Sequence, residues 1–194
     1  MTPDLPVLLF PQPKAWSAWL AKNHISSPGI WMRIAKKGAP SQSVTYAEAI
    51  DEALCYGWID GQKRKGDQHT WLQRFTPRTK RSIWSKINCE KVAALIKSRR
   101  VKAAGLAEVT RAKADGRWEQ AYDSFRTSTV PPDLQAALDR NPRAKAFFAT
   151  VSAGNRYAVL WRVQTAKKAE TRARRIQQFV GMLGKHQKLH PQVR

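Results

Sequence analysis

Between Thr45 and Asn88 the chain concentrates residue types that do chemistry. There is a thiol at Cys55, a carboxylate at Asp60, guanidiniums at Arg74 and Arg78, hydroxyls at Ser82 and Ser85, and an amide at Asn88. Trp58, Trp71 and Trp84 are interleaved with them, and Gly57 and Gly61 permit close backbone approach. Two roles are open to Asp60: a structural pair with Arg74 or Arg78, or a polar anchor or general base in a pocket walled by the three tryptophans. A lone carboxylate is thin support for catalysis, because acid–base sites usually need a second group poised at a different pKa. Cys55 falls in the last turn of an expected helix near Asp51, Glu52 and Asp60, where a thiolate is disfavoured. Cys89 falls on an expected apolar stripe, so both thiols read as core.

The donors Arg74, Thr76, Arg78, Lys80, Arg81, Ser82, Ser85 and Asn88 suit a phosphate or carboxylate, with Ser85 at a helix start. Ordinary capping plus surface charge explains the same residues, and both readings stay open. The glycine pattern of a P-loop is missing. The expected ligand-binding set is Trp58, Asp60, Trp71, Arg74, Arg78, Ser82, Trp84, Ser85 and Asn88, with no catalytic residue assigned. A second cationic group, Lys168, Arg172 and Arg175, shares one flank of a C-terminal helix and reads as a polyanion-binding face or a merely solvated one. His24 and His69 are scattered, and His186 and His190, though spaced i, i+4, fall in a tail holding Gly184 and Pro191, so neither a metal nor a cofactor is expected.

The elements that must position these groups follow from period and punctuation. Lys14 to Asn23 reads as a helix presenting Trp16, Trp19 and Leu20. Gly29 to Lys37 alternates as a strand, with Ile30, Met32 and Ile34 on one face. Thr45 and Glu48 form a capping box, and Gly57 is placed to end that helix in the left-handed region. Trp58 to Arg64 and His69 to Phe75 read as a hairpin around Lys65-Gly66-Asp67-Gln68. Beyond Trp84 everything reads as helix: a turn opened by Ser85 with Cys89, Val92, Ala93 and Ile96 buried, then 103–114. Helices starting at Pro132 and Pro142 follow, then 155–164, and last 167–183 with Ala169, Ala173, Ile176, Val180 and Leu183 on one stripe. Glu170 and Arg174 have the spacing of a helical ion pair. The fold class is therefore α+β, a small N-terminal sheet of about three strands with packed helices, followed by an all-helical C-terminal half. The boundary is placed in the polar stretch after Tyr122, giving an α+β domain over 1–122 and a helical subdomain over 123–194 packed on it.

Charge narrows the function classes. The chain of 194 residues carries a net charge of +21, and its first 60 residues are balanced at five Lys/Arg against five Asp/Glu. Residues 61–110 contribute +10 and residues 161–194 contribute +8. Such a field attracts polyanions, although a high isoelectric point alone speaks to association rather than to a specific site. No helix-turn-helix or RNA-recognition motif accompanies it. The first residues hold prolines and an acid but no basic stretch, and Val7-Leu8-Leu9-Phe10 is a short apolar run. Neither a signal peptide nor a membrane span is expected, and the expected compartment is the cytoplasm.

Three ordered blocks carry a resemblance. The run Tyr46-x-Glu48-Ala49 through Ala53-Leu54-Cys55-Tyr56-Gly57-Trp58-Ile59-Asp60-Gly61 is followed by Phe75-Thr76-Pro77-Arg78 with Ser82-x-Trp84-Ser85 and Asn88. The last is Ala166-Lys167-Lys168 through Arg172, Arg174, Arg175 and Ile176. Together they resemble the YdeI/OmpD-associated (OmdA) family over nearly the whole chain. Ala169 stands where many relatives have proline, so a softer break before the last helix is expected. The resemblance implies a bacteriocin-protection role, linked to porin association and antimicrobial-peptide resistance in a family sometimes called periplasmic, and it brings no catalytic residues. Two function classes follow. One is a non-enzymatic binding protein, in stress or peptide resistance, for a small anionic ligand or protein partner. The other is a nucleic-acid-associated protein relying on non-specific electrostatics of its basic half. An enzyme using Asp60 is a weaker third, and the oligomeric state is left open.

Overall fold

Strand pairing in the N-terminal half goes one strand beyond the sequence expectation. A computed structural model describes residues 4–190, so the reading of Met1 to Pro3 and of the last four residues lies outside the described part. The sheet has four strands in the order β1 (Val7–Leu9), β2 (Ile30–Ala35), β4 (Thr70–Pro77), β3 (Trp58–Lys65). The added strand β1 runs parallel to β2, with Val7 beside Trp31. Three residues give too short an alternation to be recognised, so the β2 edge has to select it. The other two pairings are antiparallel, and the hairpin forms as expected with a register shift between Asp60 and Lys63.

Alternation assigns the faces. Ile30, Met32 and Ile34 oppose Phe75, Gln73 and Trp71 and lie beneath α1 (Pro13–Asn23) and α2 (Tyr46–Cys55). Trp16, Leu20, Ile30, Met32, Trp58 and Phe75 are each at most 1% exposed. Fully burying such a side chain contributes about 1.5–3 kcal/mol. The Trp16 ring meets Trp19, Trp58 and Phe75 within 6.0 Å, and its Nε1–H donates to Ala49 O. Thr45 and Glu48 make the capping box in full. Gly57 takes φ +73°, and a Cβ there would stand 2.9 Å from Ala104 O.

The helices α3 (Lys86–Lys97) and α4 (Ala103–Ala114) follow. The core stripe of α3 is displaced from the expected one: Asn88, Val92 and Leu95 are buried, whereas Ala93 and Ile96 are exposed. A polar residue at Asn88 hid the true i, i+4, i+7 set from a search for apolar periodicity. Close approach between α2 and α4 depends on Gly105, where a Cβ would lie 2.5 Å from Cys55 O.

The chain divides into two compact units. The first comprises residues up to Trp84 together with Asn88–Glu119, and the second comprises Ser85–Ile87 and the residues from Gln120 onward. The second unit is helical: α5 (Pro132–Asp139), α6 (Pro142–Thr150), α7 (Ala153–Gln164) and α8 (Ala169–Gly184). Prolines open α5 and α6, and the Asn141 side chain accepts from Ala144 N as an N-cap. Its core gathers Leu134, Leu138, Phe148, Leu160, Val163, Ile176, Phe179 and Leu183. Ala169 and Ala173, expected within the α8 core stripe, are exposed. The architecture is α+β.

Candidate functional site

The hairpin's far end is fixed by a dense set of bonds. Asp67 Oδ1 accepts from the backbone N–H of His69 and Thr70 at 2.9 and 2.7 Å and from Thr70 Oγ1, while Oδ2 accepts from Arg33 at 2.7 Å. The Thr70 hydroxyl, the two backbone donors and the Arg33 charge hold the Asp67 carboxyl below the ordinary carboxylate range. Lys36 Nζ donates to the carbonyls of Asp67 and Gln68, each at 3.0 Å, tying the end of β2 to the turn. Gly66 is required for tightness, because a Cβ there would meet Thr70 O at 2.8 Å.

Around this frame the register gathers cations. Lys65 stands opposite Trp71 and Ala35 opposite Thr70, so the Lys36-Lys37 pair and the Lys63-Arg64-Lys65 run converge at one end of the sheet. They line an open groove of about 700 Å³ that includes Trp71. Lys63 Nζ lies 4.2 Å from the Trp71 ring centre, and on the other face the Arg64 guanidinium lies 4.1 Å from that of Trp31. Tyr46 packs its ring against Trp71 at 5.7 Å and donates its hydroxyl to Asp60 Oδ2 at 2.7 Å. The one acid in the turn, Asp67, is already engaged by Arg33. Four crowded lysines with little local compensation suit a ligand bearing several negative charges.

The expected ligand-binding set divides among different places. Trp58 is core, donating its Nε1–H to His24 O. Asp60 is held by Tyr46 and not by the expected arginine. Neighbouring strand residues face oppositely: Asp60 opposes Phe75, so Arg74 lies on the other face, where it donates to Gln62 Oε1 at 3.0 Å. Arg78, Ser82 and Trp84 do come together, as a packed turn. The Arg78 guanidinium stacks 3.5 Å from the Trp84 ring centre and donates to Ile83 O. Ser82 Oγ accepts from Thr79 N, its carbonyl accepts from Arg117, and Trp84 contacts Trp118 at 5.2 Å. Asn88 is buried on α3, whereas Ser85 precedes α3 and bridges Tyr122 in the second unit. The three tryptophans thus serve three environments, and only Trp71 lines the groove.

The cationic flank of α8 is also redistributed. Arg172 forms a two-point pair with Asp133, Nε to Oδ2 at 2.6 Å and Nη2 to Oδ1 at 2.8 Å, and donates to Val163 O. Arg175 donates to Arg162 O at 2.5 Å. Both carbonyls belong to the last turn of α7, where orphan acceptors and the negative end of the helix dipole favour cations. Lys168 stays exposed at the N-cap of α8. The expected Glu170–Arg174 pair is not among the ion pairs of the described residues.

Cys55 behaves as a core group, whereas Cys89 is half-buried beside the α3 core set of Asn88, Val92 and Leu95 rather than within it. Burial, with Glu52 adding to it, pushes Cys55 up to about 11, and burial pushes Cys89 to about 11 as well. Among the described residues no cluster of three His, Cys, Asp or Glu side chains could hold a metal ion, and no helix is long and apolar enough to cross a membrane. Lys36, Lys37, Lys63 and Lys65 were missed by the sequence reading. Their signal was present as two basic runs at the ends of strands, readable only once β2 is known to pair with β4.

Comparison with known proteins divides the chain. Residues 8–108, just over half of it, match a family described as Domain of unknown function (DUF8412). Residues 127–186 match the family described as Bacteriocin-protection, YdeI or OmpD-Associated. The C-terminal block that suggested this second family lies inside its match, while the two earlier blocks lie in the first. No curated protein and no solved structure matched significantly. The C-terminal helices are thus similar to the OmpD-associated family, and the chain belongs to the DUF8412 family through the unit that carries the sheet and groove.

Proposed function

We propose that the chain is a non-catalytic binding protein whose hairpin-end groove takes a small anion with two or more adjacent negative charges. The observation that carries this is the convergence of Lys36, Lys37, Lys63 and Lys65 around Trp71, with the nearby Asp67 already paired. A binding role fits the two groups that could have done chemistry. Cys55 is a buried thiol with a raised pKa, and Asp60 is held by a tyrosine hydroxyl. Bacteriocin protection, the description carried by the C-terminal match, suits a binding protein better than a metabolic enzyme.

Calorimetric titration with pyrophosphate tests the proposal. Binding is expected to quench Trp71 fluorescence and to weaken by about tenfold or more in Lys63→Glu/Lys65→Glu, since each tenfold is about 1.4 kcal/mol. Equal binding by that variant, with an unchanged melting temperature, overturns it. The net charge of +21 favours a second reading in which the same cations follow a nucleic-acid backbone. A single-stranded oligonucleotide would then bind far more tightly than pyrophosphate. Its logarithmic affinity would fall against log salt with a slope of roughly −0.7 per phosphate contacted.

A further inference from the structure

The apolar stripe of α8 continues past the part that the helical unit covers. Ile176, Val180 and Leu183 are buried, but Ala169 and Ala173 on the same stripe are exposed. With Ala137 of α5 and Gly181 they line an open groove of about 650 Å³. Alanine and glycine there let another backbone approach closely, and a Cβ added at Gly181 would meet nothing within 4 Å.

The groove's rim is cationic. Arg140 and Arg172 line it, and Arg174 and Lys185 line a smaller groove that adjoins it through Gln177 and Gly181. Arg172 is neutralised by Asp133, but Arg140, Arg174 and Lys185 have no acidic side chain within ion-pair distance among the described residues. Residues 120–194 carry fourteen Lys/Arg against four Asp/Glu. We infer that this groove docks one amphipathic helix of a partner protein, with its apolar ridge along Ala169, Ala173 and Ala137 and its acidic flanks against Arg140, Arg174 and Lys185. A second copy of the chain would bring the same positive rim against itself. A nucleic-acid strand would find no aromatic ring among the lining residues on which to stack its bases. The stripe is too modest for a lipid surface, with alanine at both of its exposed positions.

The test uses the full chain at physiological salt and three labelled 18-residue peptides: a Leu/Glu amphipathic helix, its Leu/Lys counterpart, and a Glu-rich peptide of equal charge without leucine. Fluorescence anisotropy is expected to show saturable binding of the Leu/Glu peptide alone. Ala173→Glu, which puts bulk and negative charge on the groove floor, is expected to weaken that binding by about tenfold or more. Ala169→Glu serves as the second variant should the first misfold, and Lys63→Glu/Lys65→Glu is expected to change peptide binding by less than about twofold. Equal binding of the leucine-free peptide, or undiminished binding by both alanine variants, overturns the inference in favour of bulk charge. Self-association in sedimentation equilibrium that Ala173→Glu abolishes overturns it in favour of a second copy.

Discussion

The two units use cations in opposite ways. At the hairpin end of the first, Lys36, Lys37, Lys63, Arg64 and Lys65 stand around one groove, with two of them over aromatic faces. In the second, arginines turn inward to close helices. Arg156 donates to Phe148 O and Ala149 O at the end of α6, and Arg172 and Arg175 donate to carbonyls at the end of α7. The planar guanidinium, with its five donors, suits carbonyl capping, whereas lysine is a strongly hydrated point charge on a flexible stem. Formal charge is therefore a poor guide to where a polyanion would bind: in one unit lysines line an open groove, whereas in the other Arg156, Arg172 and Arg175 are taken up in closing helix ends.

The contrast has measurable consequences. Arg172→Ala is expected to cost the most, about 1–2 kcal/mol in urea unfolding of the helical unit, a value discounted because Asp133 is half exposed. An effect within experimental error would mean that this arginine is a surface charge after all. A smaller effect is expected from acid. Hydrogen bonds from Arg172 above all hold Asp133 below its ordinary carboxyl range. Its stabilisation is then fully present above the unfolded value near pH 4 and lost as pH falls through the folded one. Asp133→Asn should lower stability at neutral pH and flatten that acid dependence; an unchanged acid limb would remove the pair's role. Smallest is Lys65→Gln, expected to change stability by less than about 0.5 kcal/mol, or to raise it by relieving repulsion. A large loss there would show the hairpin lysines to be structural too, and the contrast between the units would disappear.

Elements fixed by neighbours in sequence could be read from the chain. The Thr45–Glu48 box, the positive φ at Gly57, the hairpin turn at 65–68 and the Asn141 cap each depend on hydrogen bonds or sterics within a few residues. The site was legible only in part, because Trp71 was the sole expected residue that lines the groove. The others depended on long-range choices. Asp60 was within reach of arginines in sequence but is met by Tyr46, because the β3–β4 register turns Arg74 to the opposite face.

The sequence by itself thus determined the α+β class, the approximate spans of the helices and of every strand but β1, the core character of Cys55 and the sign of the field. These follow from local hydrogen bonding, hydrophobic period and composition. Only the tertiary structure decided that β1 joins β2 in parallel, that Arg172 and Arg175 close α7, that two separate basic runs meet around Trp71, and that Ala169 and Ala173 stay uncovered. The reason is reach. A long charged side chain has many rotamers and takes whichever partner the fold brings within about 3 Å, a choice that neither composition nor period encodes.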